Sequence, residues 1–182
     1  RPFNFEALLQ HIPEIAQLDC ILRAVSFANP MDSSNMNSDA WVTMATLIEE
    51  HYQACDGFVV LHGSDTMSYS ASALSFMLEY LAKPVIFTGS QLPIGDLRTD
   101  AKENLITAIQ LAALQENGIP VVQEVCLYFE YKLYRGNRTT KKSAEHFRAF
   151  FSPNYPLLAE AGVQLKINRS SRLVSLHEIG RM

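Results

Sequence analysis

The hydrophobic pattern of residues 57–81 changes twice along the sequence, and these changes restrict the folds that this chain can adopt. Residues 57–61, GFVVL, form a continuous apolar run that is typical of a strand buried on both faces of a parallel sheet. Small and polar residues, HGSDT, then occupy positions 62–66. Beyond them, apolar side chains recur at spacings of three and four, as on the buried face of a helix: Met67, Ala71, Leu74, Met77, Leu78 and Leu81. The stretch therefore predicts a strand, a tight polar turn and a helix.

The polar turn between the predicted strand and helix contains the first candidate site residues, Ser64 and Asp65. Ligands of open α/β sheets bind at the carboxyl ends of the strands, which is where such a turn lies. Ser64, Asp65 and Thr66 are also residue types that cap helices well. Spacing alone does not choose between a ligand-binding turn and a helix cap, and one residue can serve in both roles.

Predicted strands and helices alternate along most of the sequence. Helices are predicted over residues 5–12, 38–52 and 100–114, and strands over residues 21–27, 83–90, 121–128 and 129–134. Ser38 or Asp39 is expected to cap the second helix. This alternation predicts an α/β fold with a three-layer, mostly parallel, doubly wound sheet. The pattern weakens after Pro153, so residues 1–165 are predicted as one α/β domain and residues 166–182 as a linker.

Composition and charge exclude several classes of protein. Of the 182 residues, 48% are hydrophobic and 19% are charged, which excludes an intrinsically disordered chain. The net charge of -4 gives no basic surface for nucleic acid, and no apolar run approaches the roughly 20 residues of a membrane span. Cys20, Cys55 and Cys126 lack the paired spacing of zinc ligands. They are predicted to be reduced, as in a cytoplasmic protein, and no metal site is expected.

Two further loops carry residues that can bind or catalyse. Asp32, Ser33 and Ser34 follow the predicted strand at residues 21–27 and offer two hydroxyls and backbone N–H groups to a small anion such as a carboxylate. The alternative is an ordinary turn in which these side chains bond their own backbone. Residues 134–142, YRGNRTTKK, form a basic turn after another predicted strand. By itself, such a turn is more often a solvated surface than a site.

Residues 56–67, DGFVVLHGSDTM, resemble the second signature of the bacterial-type L-asparaginases, which usually has HGTDT at its centre. Residues 70–78, SASALSFML, resemble the type I, cytoplasmic branch of that family. The resemblance extends from about Phe27 to Leu158. Ser64 stands where the family carries a catalytic threonine, so the hydroxyl is retained, while loss of the methyl leaves the side-chain rotamer less restrained.

The resemblance also implies roles for the other loops. The pattern DSSxM at residues 32–36 resembles the type I substrate loop, whose first serine binds the α-groups of the substrate, and this implies that role for Ser33. The string RGNRTTK resembles the segment that supplies the catalytic lysine, which implies Lys141, with Lys142 as its surface neighbour. Ser90 lies in a turn that resembles the family's TG(S/A) turn. The catalytic candidates are thus Ser64, Asp65 and Lys141, and the substrate-binding candidates are Asp32, Ser33, Ser34, Ser64, Asp65 and Ser90.

The implied chemistry is hydrolysis of L-asparagine to L-aspartate and ammonia through a covalent acyl-enzyme, without metal or cofactor. A serine hydroxyl needs an adjacent base to take its proton, and a lysine can do so when burial or neighbouring groups lower its pKa. Asp65 would bind the ammonium group of the substrate and hold Lys141 in place. The extra methylene of glutamine would displace its amide, so glutamine is expected to be a weaker substrate.

The family's main nucleophile, a threonine in a TGGTI segment, does not occur in these 182 residues, and neither does the flap that supplies a catalytic tyrosine. The carboxy-terminal domain, which completes a neighbouring subunit's site in the family, also lies outside the sequence. The resemblance therefore implies a cytoplasmic homo-oligomer, a dimer or tetramer, of a longer chain. We expect the 182-residue chain alone to be inactive.

Two other functions remain open at this point. The asparaginase-like subunit of a tRNA-dependent amidotransferase shares the HGTDT core and needs tRNA and a partner protein, but the acidic balance and the DSSNM loop count against it. An inactive module that only binds an amino acid is slightly favoured by the serine at position 64.

Overall fold

The computed structural model of the chain describes residues 10–29, 31–142 and 149–171. The helices are labelled α1 (Ser38–His51), α2 (Met67–Met77) and α3 (Ala101–Ala113). The strands are β1 (Phe58–Leu61), β2 (Val85–Thr88), β3 (Gln115–Glu116), β4 (Ile119–Pro120), β5 (Val125–Phe129), β6 (Lys132–Arg135), β7 (Thr140–Lys141), β8 (Phe150–Phe151), β9 (Ala159–Ala161) and β10 (Leu165–Ile167). Short 3-10 turns lie at Pro13–Gln17, Ser33–Asn35 and Gly136–Arg138.

Six of these strands form one sheet in the order β1-β2-β5-β6-β9-β10. The pairs β1–β2 and β2–β5 are parallel, and the pairs beyond β5 are antiparallel. The predicted α/β class is confirmed, but the sheet is mixed rather than mostly parallel. The direction changes at Glu130 and Tyr131, which have φ values of 45° and 64° and lie between β5 and β6. Positive φ at both central residues is typical of a type I′ hairpin, which returns the chain antiparallel.

Helices pack on both faces of the sheet and give the three predicted layers. Leu74 of α2 lies in one apolar cluster with Phe87 of β2, whereas Leu111 of α3 lies in another with Ile86. Ile86 and Phe87 are adjacent in β2, so their side chains point to opposite faces. All four side chains are fully buried, and burying a side chain of this size contributes roughly 1.5–3 kcal/mol to folding.

The predicted helices are present, but their ends differ. Asn37 caps α1 instead of the predicted Ser38 or Asp39, because its side chain accepts a backbone N–H of the first turn at 3.0 Å. The helix α2 stops at Met77, short of the predicted end. The helix predicted over residues 5–12 falls largely outside the described residues.

Two predicted strands also differ from the structure. Residues 21–27 are irregular, and Ile21 and Val25 are exposed, so the alternating side chains cover no sheet face. The strand predicted to begin at Val121 begins instead at Val125. Residues 121–124 are buried ahead of the strand, and the Glu124 carbonyl accepts a hydrogen bond from the Val85 N–H of β2 at 3.3 Å. The predicted strand therefore lies in the right place but begins four residues later.

The predicted linker begins inside the sheet, because β10 includes its first two residues. Further along, the Ser171 carbonyl accepts hydrogen bonds from Arg135 and from the Tyr155 hydroxyl, both at 2.8 Å. Residues 172–182 lie outside the described residues, and the domain boundary stays a prediction.

Candidate active site

The carboxyl ends of β1 and β2 lie side by side, because the two strands are parallel and pair at their last residues. The turn after β1 carries Ser64 and Asp65, and the loop after β2 carries Gln91. Lys141 reaches the same edge of the sheet from β7. Polar side chains from three separate segments therefore converge where α/β sheets bind their ligands.

Lys141 connects the two residues of the turn. Its Nζ atom donates to Ser64 Oγ at 3.0 Å and to Asp65 Oδ1 at 2.8 Å. The side chain of Lys141 is 15% exposed, whereas that of Asp65 is 60% exposed. The three residues predicted as catalytic thus lie within hydrogen-bonding distance, and the Asp65 carboxylate keeps most of its surface open to a ligand.

The Ser64 hydroxyl lies between a donor and an acceptor. Its oxygen accepts from Lys141, and its proton is donated to Gln91 Oε1 at 2.8 Å. A lysine ammonium group has donors only, so in this form Lys141 cannot take the hydroxyl proton. Ser64 can transfer its proton to Lys141 only after the lysine has lost one of its own and the hydroxyl has turned away from Gln91.

Lys141 also determines the charge state of Asp65. Its hydrogen bond, and then its positive charge, hold the pKa of the Asp65 carboxyl below its usual value. A hydrogen bond from Ser34 acts in the same direction as these effects. Asp65 is therefore an exposed anion near neutral pH, which suits it to bind a cationic group such as an ammonium.

The predicted substrate loop packs against the same turn. Thr66 Oγ1 donates to the Ser33 carbonyl at 2.6 Å. A Cβ atom at Gly63 would lie 2.5 Å from Ser33 Oγ, so a side chain at this position would separate the two segments. Ser34 Oγ reaches Asp65 Oδ2 at 3.5 Å, which is a long and weak hydrogen bond. These contacts bring Ser33 and Ser34 to the candidate site.

Asp32 and Ser90 are placed differently from the other candidates. Asp32 accepts the backbone N–H of Ser34 at 2.9 Å and caps the turn Ser33–Asn35, which is the ordinary turn role that the sequence left open. Ser90 is half-buried two residues beyond β2, and among the described residues it forms no hydrogen bond with the cluster. The binding roles of both residues stay predictions.

The residues that hold the loop after β2 were not among the candidates predicted from the sequence. The Asp100 carboxylate accepts the backbone N–H of Gln91 at 3.0 Å and that of Leu92 at 3.2 Å. Asn104 donates to the Gly89 carbonyl at 3.0 Å and to Asp100 at 3.1 Å. The one available signal was a polar residue, Asn104, on the apolar face of a predicted helix, because a buried amide needs hydrogen-bond partners.

Among the described residues, no group of three His, Cys, Asp or Glu side chains is arranged to hold a metal ion. In the same parts of the chain, each helix is too short or too polar to cross a membrane.

A layered α/β domain with hydrogen-bonded Ser64, Asp65 and Lys141 at its strand ends has the site geometry of α/β proteins that bind a small ligand there. The model of one protein family, described as Asparaginase, N-terminal, matches residues 1–173. The chain therefore belongs to the asparaginase family, as the resemblance of residues 56–67 predicted.

Individual relatives agree with this membership. The chain is 54% identical to L-asparaginase 1 of Escherichia coli (strain K12) over 136 residues, which is 75% of this chain and 39% of the relative. It is 53% identical to the 60 kDa lysophospholipase of Mus musculus over 138 residues, 76% of this chain and 24% of the relative. The crystal structure of L-asparaginase I from Vibrio cholerae O1 biovar eltor superposes with a TM-score of 0.83 at 44% identity, covering 94% of this chain and 51% of that one. The chain thus spans about half the length of the Vibrio cholerae structure. It spans less than half the length of the other two relatives.

Proposed function

We propose that this chain forms part of the active site of an L-asparagine amidohydrolase, which converts L-asparagine and water to L-aspartate and ammonia. The observation that carries the proposal is Lys141 Nζ, which lies within hydrogen-bonding distance of both Ser64 Oγ and Asp65 Oδ1. Membership of the asparaginase family and the names of two relatives support the same reaction.

The charges at the site suit a small amino acid. The exposed Asp65 carboxylate is available to the α-ammonium group of asparagine. The loop with Ser33 and Ser34 lies beside it, and its serine hydroxyls can donate to the α-carboxylate. Holding both α-groups fixes the position of the side-chain amide. Glutamine, whose amide lies one methylene further away, is therefore the weaker substrate.

The residues of this chain assist acyl transfer. After Lys141 has released one proton to solvent, its Nζ accepts the Ser64 proton, and the resulting Ser64 oxygen draws a proton from the attacking group. The attacking oxygen forms a bond to the amide carbon, the C–N bond breaks, and ammonia leaves with the proton returned through Ser64. Water then bonds to the acyl carbon while Ser64 takes its proton, the ester C–O bond breaks, and the proton passes to the departing nucleophile oxygen as L-aspartate is released. The family resemblance assigns the first attack to a threonine that is not among these 182 residues, so Ser64 has the assisting role.

The name of the mouse relative makes lysophospholipid hydrolysis a second candidate. The described site argues against it, because Asp65 and Lys141 are charged and Ser34 is polar, and a long acyl chain needs an apolar surface. The amidotransferase subunit and the inactive amino-acid-binding module also stay as alternatives. The first requires tRNA for its reaction, and the second binds L-aspartate without turnover.

The test is a substrate panel on the natural polypeptide, expressed from its complete reading frame. We expect ammonia release from L-asparagine, slower release from L-glutamine, no dependence on tRNA and no fatty acid release from lysophosphatidylcholine. Calorimetric binding of L-aspartate without any ammonia release would favour the binding module. Fatty acid release with no ammonia release would overturn the proposal in favour of the second candidate.

A further inference from the structure

A chain of hydrogen bonds, buried at its centre, ends on the turn that carries Ser64. Trp41 Nε1 of α1 donates to Ser70 Oγ of α2 at 2.9 Å, and Ser70 Oγ lies 2.8 Å from His62 Nε2. His62 Nδ1 lies 2.7 Å from the carbonyl oxygen of Gly63. Two helices are thereby linked to the peptide bond that precedes Ser64.

The chemistry of these groups fixes the direction of every bond in the chain. A carbonyl oxygen can only accept, so His62 Nδ1 must carry a proton to bond Gly63. A neutral imidazole carries one proton, so Nε2 is the acceptor and the Ser70 hydroxyl donates to it. The Trp41 N–H can only donate, and it occupies a lone pair of the same hydroxyl. His62 is thus held as its Nδ1–H tautomer.

Because Ser70 and His62 are buried, they have little access to water as an alternative hydrogen-bond partner. Ser70 has no exposed surface and His62 has 8%. Burial lowers the pKa of His62, although its bond to Gly63 opposes this shift, so the ring is neutral near neutral pH. A buried donor or acceptor that loses its partner is costly, and the network therefore stays in this one arrangement.

The Gly63 carbonyl matters because it shares a planar peptide unit with the N–H of Ser64. Fixing the carbonyl fixes the orientation of that unit and the starting point of the Ser64 and Asp65 side chains. Glycine restrains its own backbone less than any other residue. A larger residue is excluded at position 63 because its Cβ would lie 2.7 Å from Ser33 Cβ. The restraint therefore has to come from outside, and His62 supplies it.

We propose that His62 is a positioning residue that acts through the Gly63 carbonyl to hold Ser64 and Asp65 against Lys141, and that Ser70 and Trp41 keep its ring in the required tautomer. The catalytic part of this inference rests on the proposed asparagine hydrolysis. The tautomer and its control by Ser70 do not depend on that function.

The first test is 15N NMR of the histidine rings in the wild-type protein. We expect a protonated, pyrrole-like Nδ1 and an unprotonated, pyridine-like Nε2 at His62. In a Ser70→Ala variant, a second tautomer should appear, because Nε2 loses its donor. Ser72→Ala, on the same helix and without a hydrogen bond to His62, is the matched control and should leave the spectrum of His62 unchanged. An Nε2–H tautomer in the wild type would overturn the proposal without any variant.

The second test separates positioning from packing. Asparagine can donate from Nδ2 in place of the imidazole Nδ1–H, so His62→Asn should keep the bond to Gly63, whereas His62→Leu removes it. We expect kcat for L-asparagine to fall about tenfold more in His62→Leu than in His62→Asn, with KM changed less, since about 1.4 kcal/mol of hydrogen bonding is lost. Equal kcat values in the two variants would overturn the positioning role. If the wild type shows no ammonia release, the proposed function fails, and L-aspartate affinity in the same two variants decides the role of His62.

Discussion

The Asp65 carboxylate has one oxygen firmly bonded to Lys141, the other only weakly bonded to Ser34, and most of the side chain exposed. Oδ1 accepts from Lys141 at 2.8 Å, while the side chain is 60% exposed. This arrangement lets one residue hold the lysine and still meet a ligand. The same exposure makes the ion pair itself a weak source of stability, because water screens exposed charges. The value of Asp65 therefore lies in the site rather than in the fold.

Replacing Asp65 with asparagine is expected to weaken binding of L-aspartate and to raise KM for L-asparagine. The loss of a charged partner for the α-ammonium group should cost on the order of tenfold to a hundredfold in affinity. Calorimetric titration with L-aspartate measures the effect. Asp56→Asn is the matched control, since Asp56 is exposed at the opposite end of β1. Unchanged affinity in Asp65→Asn would remove Asp65 from the binding site.

Single residues were predictable where a motif named them. The strings around Ser64, Asp65 and Lys141 resembled the family, and the structure places these side chains together. Gln91 and Asp100 carried no such signal, because their contacts depend on how a loop folds back over nine residues. The sequence could show that these residues were polar. It could not show which groups they would meet.

Thr66 links the predicted substrate loop to the turn after β1. This residue stands at the N-cap position of α2 but makes no capping bond, and its hydroxyl donates to Ser33 instead. A side-chain cap typically stabilises a helix by about 1 kcal/mol. The Thr66 hydroxyl does not give α2 this stabilisation, because it bonds the loop at Ser33. The role of the Thr66 hydroxyl is therefore to hold the loop at Ser33 in place rather than to cap α2.

Thr66→Val keeps the shape of the side chain and removes its donor. We expect KM for L-asparagine to rise about three- to tenfold with kcat nearly unchanged, because one partly buried hydrogen bond is lost. Thr66→Ser retains the hydroxyl and should behave as the wild type. Steady-state kinetics of both variants make the comparison. A fall in kcat alone in Thr66→Val would contradict a role in holding the loop.

Asn104 of α3 has a structural role in the loop after β2. It donates to Gly89 and to Asp100, accepts from Glu130 N–H at 3.0 Å, and is 1% exposed. Asn104→Leu should lower the free energy of unfolding by roughly 2–4 kcal/mol, since several buried groups lose their partner. Urea denaturation measures this loss. Gln110→Leu, on the exposed face of the same helix, should change stability by less than about 0.5 kcal/mol.

Among the secondary-structure elements, the hydrophobic periodicity of the sequence predicted the helices well. It did not predict the direction in which the strands run. The helices α1, α2 and α3 follow apolar spacings that a local pattern reveals. The antiparallel half of the sheet arises from the turn at Glu130 and Tyr131, whose positive φ values are unusual for these residue types. Glycine or asparagine would have signalled such a turn. Without them, alternation of strands and helices predicted a more parallel sheet than the chain forms.

For the whole molecule, acid is expected to destabilise the fold through His62. The pKa of His62 in the folded chain lies below its usual value of 6.5, so the unfolded chain binds more protons between the two values. The stability contribution of His62 is complete above about pH 6.5 and is lost as the pH falls toward the folded pKa. Urea midpoints at several pH values should therefore decline on acidification. His62→Asn should show a smaller decline, and an equal decline would exclude His62 as the cause.

The central claim is that Lys141 takes part in catalysis. The most direct test compares Lys141, the last residue of β7, with Lys142, the residue that follows it. The natural polypeptide, Lys141→Met and Lys142→Met should be compared in an ammonia-release assay with saturating L-asparagine. Lys142 is exposed and lies 5.8 Å from the Phe151 ring, so it controls for loss of a charge at nearly the same place. We predict that kcat falls roughly 10²- to 10⁴-fold in Lys141→Met, the usual contribution of a positioned acid or base, and stays near wild type in Lys142→Met. Equal rates in the wild type and Lys141→Met would contradict the catalytic cluster of Ser64, Asp65 and Lys141.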